Sequence, residues 1–128
     1  MTGQTLGILI AGALFAHGLG HSLGFFKPAQ SWLLPAKGAP FMRITANVLW
    51  SLAGLGFVLA GLAFTGVLVP PDWWRPLAVV FAVVSLLGMV LFGRNWPLFN
   101  TLGASGFNLV VLVAILWQQW PAVAMFGR

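Results

Sequence analysis

Apolar residues along this chain fall into four long uncharged tracts, 1–26, 44–71, 76–93 and 95–127, with the charged residues between them. A helix needs about 20 mostly apolar residues to cross the hydrocarbon layer of a bilayer. The first, second and fourth tracts exceed that length. The third reaches it once Trp73 and Trp74 are counted as its interfacial start. The pattern predicts spanning helices over about 5–26, 45–69, 73–92 and 101–120. Breakers separate them: Lys27-Pro28, Pro70-Pro71, the run from Gly93 to Pro97, and Pro121. Asn47 or Thr45 would cap the second helix, and Pro76 falls in the first turn of the third, where its missing N–H costs little. Residues 27–43 hold three prolines and a glycine, which prevents a further span there. Trp32, Leu33, Leu34 and Phe41 in that link predict a segment lying at headgroup level.

Composition turns this pattern into a class. The apolar fraction is 60% and the charged fraction 5%, and mean hydropathy is +0.99. A water-soluble domain carries about a quarter of its residues as charges, because its surface must be hydrated. The expected fold is an all-α integral membrane protein, a compact four-transmembrane-helix bundle forming a single domain over 1–128. The N-terminal apolar run is too long for a signal peptide and has no Lys or Arg before it, so no cleaved leader is expected. Tryptophans at 32, 50, 73, 74, 96, 117 and 120 fall near the expected helix ends, as in an aromatic belt.

Charge then suggests orientation. Lys27, Lys37, Arg43 and Arg94 lie in the first and third links, against Arg75 and Arg128 on the other side. The excess of positive charge on the inner face favours both termini outside, with a prokaryotic cytoplasmic (inner) membrane as the expected setting. The net charge of +5 comes from isolated residues, so membrane lipid and not nucleic acid is the expected partner. Cysteine is absent, which excludes disulfides and thiolate metal sites.

Within lipid, apolar side chains do not drive helices together, and close packing depends on small residues. Gly12, Ala16, Gly20 and Gly24 recur at every fourth position of the first helix, while the second carries Ala53, Gly54, Gly56, Ala60 and Gly61. The simplest expectation packs these two faces together. Either face could instead meet a second copy or another subunit. The third and fourth helices are bulkier and read as lipid-facing.

Candidate chemistry is sparse. His17 and His21, the only histidines, stand four residues apart and so share one helical face. An imidazole in hydrocarbon must satisfy a donor and an acceptor, so both rings should face protein, water or a ligand. Asn108, about two turns into the fourth helix, should point inward for the same reason. His17, His21 and Asn108 therefore form a candidate cofactor-binding set, with haem, a quinone or another apolar ligand as the groups it would suit. The plainer alternative is hydrogen bonding between helices through Asn47, Asn108 or Ser22. Two imidazoles do not complete a metal sphere. Ser51, Thr65, Ser85 and Ser105 are weak indicators, because hydroxyls bond to carbonyls of their own helix. Asp72 and Arg75 read as a cap or a surface ion pair, and Arg94 as a residue reaching for phosphate.

No catalytic triad, paired carboxylates, metalloprotease motif or nucleotide-binding loop is present. The sequence leans away from an enzyme, toward a small non-enzymatic membrane component packing into a homo-oligomer or a larger membrane complex. A cofactor or small-apolar-ligand protein with its site on the histidine face is the alternative. An enzyme acting on a lipid or isoprenoid is a third reading, short of a carboxylate partner for its histidines.

Overall fold

The computed structural model describes residues 3–22, 40–93 and 98–121. Four helices follow in order: α1 Gly3–Ser22, α2 Pro40–Thr65, α3 Trp74–Phe92 and α4 Leu98–Leu112. A short 3-10 turn, Pro71–Trp73, leads into α3, and a π-helical turn, Val113–Trp117, extends α4. All four are long and apolar enough to cross a membrane, over Gly3–His21, Ile44–Thr65, Pro71–Phe92 and Leu98–Trp117.

Successive helices run antiparallel. Gly18 meets Gly54 and Val58, Gly56 meets Phe81, Gly88 meets Trp50, and Gly93 meets Thr101. Thus α1 packs along α2, α2 along α3, and α3 along α4. The core is centred on α2, through Ala46, Trp50, Ala53, Phe57, Ala60 and Phe64, and is completed by Ala11, Leu14, Ala78, Ala82, Met89 and Phe92. In α4 only Asn108 is buried. The outer surface is apolar, with Leu9, Leu55, Val90, Val110 and Leu116 exposed.

Several boundaries differ from the sequence expectation. α2 begins at Pro40, a good first helical residue, so neither Thr45 nor Asn47 is its cap. Thr45 instead donates from within the helix to the Phe41 carbonyl, and Ser51 likewise to Asn47. α2 ends at Thr65, short of Val69. Gly66 takes a left-handed φ of 72°, and its N–H reaches the Ala63 carbonyl while that of Val67 reaches Leu62. These paired bonds are a glycine helix stop, four residues ahead of the prolines credited with it. α4 starts at Leu98 and not Thr101, whose hydroxyl donates to the Gly93 carbonyl and closes the end of α3. The link over 27–39, the end of the first helix after Ser22, Arg94 and Arg128 lie outside the described residues.

The expected glycine stripe of α1 does not meet α2. A Cβ added at Gly12 or Gly20 would meet nothing within 4 Å. The contact runs instead through Ala11, Leu14, Gly18 and His21. At Gly18 the helices come so close that an added Cβ would lie 2.9 Å from the Gly54 carbonyl oxygen. Ala16 and Gly20 stand two residues from Gly18, roughly 200° around the helix. Helix rotation follows from the histidines, because turning the small stripe toward α2 would carry His21 away from the core. On α2 the expectation holds: Ala53, Gly54, Gly56, Ala60 and Gly61 are all buried.

Trp50 also departs from its expected role. It is 4% exposed, packed on Met89 and Gly88, and so belongs to the core and not to an interfacial belt. Trp73, Trp117 and Trp120 are exposed at helix ends, whereas Trp32 and Trp96 lie outside the described residues.

Candidate functional site

The three residues singled out in the sequence come together between α1, α3 and α4, joined by Ser85. Asn108 Nδ2 donates to Ser85 Oγ at 2.7 Å, and Ser85 Oγ lies 3.4 Å from His21 Nε2. Asn108, Ser85 and His21 are all buried. Valence sets the direction of the first bond, and use of the Ser85 proton favours one direction for the second. An amide NH2 only donates, so Ser85 accepts from Asn108. A proton on Nε2 would make His21 the donor and leave the Ser85 hydroxyl without an acceptor among the described residues; the hydroxyl has one when it donates to Nε2. An imidazole carrying one proton then holds it on Nδ1. That nitrogen is buried without a hydrogen-bond partner among the described residues.

His17 is held by aromatic rings. It stacks on Phe107 at 4.2 Å between centroids and meets the edges of Phe57 at 4.6 Å and His21 at 5.0 Å. Asn108 lies within interacting range of His17. Even so, neither His17 Nε2 nor Asn108 Oδ1, both buried, makes a hydrogen bond of good geometry among the described residues. Three buried polar atoms thus lack a well-formed hydrogen bond among the described residues, against the general rule for buried polar groups. Each costs on the order of 1–3 kcal/mol while unpaired.

A cavity of about 250 Å³ adjoins the histidines. Ala16, His17, Gly20 and His21 of α1 form one wall, Trp50 and Met89 the floor, and Phe99, Asn100, Gly103 and Ala104 of α4 the other wall. It occupies the seam between α1 and α4, which pack less closely on each other than successive helices do. Gly20 and Gly103 leave it room, since a Cβ at either position would touch nothing. Asn108 does not line this cavity. It stands one layer behind and acts on His21 through Ser85.

Asn47 is exposed and takes no part, and the side chain of Ser22 lies outside the described residues. Ser85, the hub, was named in the sequence only as a weak polar position. Its signal was there nonetheless, because it is the one hydroxyl in the apolar run from Leu77 to Phe92. No group of three or more His, Cys, Asp or Glu side chains suited to a metal occurs among the described residues. No protein-family model matches this sequence, and no curated protein and no solved structure matches it either, so the site is read from its own geometry.

Proposed function

We propose that this chain is an integral membrane protein that holds a small apolar ligand, through a hydrogen-bond-accepting head, against the histidine face of α1. The supporting observation is the buried His21 Nδ1, without a partner among the described residues, on a ring that lines a cavity of mostly small, apolar and aromatic residues. A carbonyl oxygen is the complement to an N–H donor. Enclosed sites for drug-sized ligands run to roughly 300–1,000 Å³, so this smaller space suits a single ring better than a porphyrin. A quinone head meets both requirements, with its tail leaving between α1 and α4 into lipid. The exposed apolar side chains around the bundle support residence in a membrane, where they would meet lipid.

A second reading, assembly with another copy or another membrane protein, is favoured by one observation. The small face formed by Gly12, Ala16 and Gly20 is left open by the bundle's own packing. A neighbouring helix would approach closely there.

Quinone binding is tested with a short-chain benzoquinone added to the protein in lipid nanodiscs. Trp50 meets the His21 ring at 5.1 Å, so its fluorescence reports occupancy, and Trp50→Phe supplies the background from the other tryptophans. The Trp50-dependent quenching is expected to saturate, and His21→Ala to weaken it at least tenfold, about 1.4 kcal/mol. Equal quenching in wild type and His21→Ala would remove the site.

A further inference from the structure

A second and larger cavity, about 1050 Å³, opens at the opposite end of the bundle. Its apolar wall is made by Ile8, Ala11, Phe64 and Trp74. Gln4, Thr65, Asp72 and Arg75 supply the polar part. Asp72 is the chain's sole acid. The expected ion pair with Arg75 is not made: Arg75 Nη2 donates instead to the carbonyls of Pro121 at 2.6 Å and Gln119 at 3.3 Å. This contact pins the end of α4 to the start of α3, and the guanidinium also lies 5.4 Å from the Trp74 ring. Arg75 Nε is buried with no acceptor among the described residues. Neither helical segment beside Asp72 has a side-chain hydrogen bond from its N-cap residue, which is Pro70 in one and Trp73 in the other.

One guanidinium and one carboxylate that has no partner among the described residues thus share the lining of a single apolar cavity. We infer that this cavity binds a zwitterionic amphiphile bearing a phosphate and a primary ammonium. The phosphate meets Arg75, the ammonium meets Asp72, and an acyl chain lies along Ile8 and Ala11 against Phe64. A guanidinium suits phosphate because its N–H donors are planar and permanently charged. A primary ammonium donates hydrogen bonds to a carboxylate, which a trimethylated one lacks the N–H groups to do. A purely anionic head would meet Arg75 but be repelled by Asp72. The inference depends on the bundle lying in a membrane and is independent of the histidine site.

Native mass spectrometry of the full chain, released from detergent after equilibration with defined lipids, tests it. Phosphatidylethanolamine is expected to be retained at least fivefold over phosphatidylcholine and phosphatidylglycerol of the same chain length. Asp72→Asn, at an exposed position without a structural bond, should remove that preference and raise phosphatidylglycerol retention with folding unchanged. Equal retention of the three lipids by wild type, or an unchanged preference in Asp72→Asn, would overturn the proposal. Competition by free phosphoethanolamine at lipid-like concentrations would overturn it as well, since the head group alone would then account for binding.

Discussion

Replacing Gly56 with valine is expected to abolish the native packing of α2 on α3. The Phe81 ring lies directly against the Gly56 backbone, so that even a methyl group there would fall within the ring. Phe81 is partly buried and packs against the cluster that contains Phe57, Ala78 and Ala82, so making room for a larger side chain disturbs that contact. Overpacking of this kind costs about 3 kcal/mol, the upper end of the usual range, or more. Gly106→Ala is the matched control, because a Cβ there meets nothing within 4 Å. It should leave stability unchanged or raise it by up to ~1 kcal/mol through helix propensity. Denaturant titration of the two variants in mixed micelles checks this. Equal stability would mean that α2 and α3 do not approach as described.

Removal of the hub gives the next largest effect. In Ser85→Ala, the Asn108 amide and His21 Nε2 both lose their partner at once. An orphaned buried group costs about 1–3 kcal/mol, and the expected loss of stability is about 2 kcal/mol. Asn108→Leu removes an orphan acceptor along with one hydrogen bond, and side-chain bonds between membrane helices average about 0.6 kcal/mol. Its stability should therefore stay within ~1 kcal/mol of wild type. The contrast separates a hydrogen-bonded relay from general packing: if Asn108→Leu is the more damaging variant, Ser85 is not the hub.

Helix number and approximate position were legible in the sequence because uncharged length is a strong constraint. So was the inward direction of His17, His21 and Asn108, since burying a polar side chain against lipid is costly. Helix rotation was harder to read. Gly12, Ala16 and Gly20 match a small-residue pattern, yet α1 turns Leu14, Gly18 and His21 toward α2. Glycine spacing names faces that permit close approach, and the histidines decide which of them is used. Pro70 and Pro121 mark helix stops later than those the structure has, at Thr65 for α2 and Trp117 for the π-helical turn that extends α4. Gly66 had already ended α2 through backbone bonds that depend on its φ of 72°. Arg75 was paired with Asp72 by nearness in sequence, whereas its partners Gln119 and Pro121 lie more than forty residues away.

The most direct measurement is a nitrogen-15 spectrum of histidine-labelled protein in nanodiscs, where two imidazoles give a fully assignable set of ring signals. Donation from Asn108 through Ser85 predicts that His21 carries its proton on Nδ1, and that adding a short-chain benzoquinone moves this resonance. A His21 ring protonated on Nε2, with both rings unmoved by the quinone, would contradict the relay and the ligand site together.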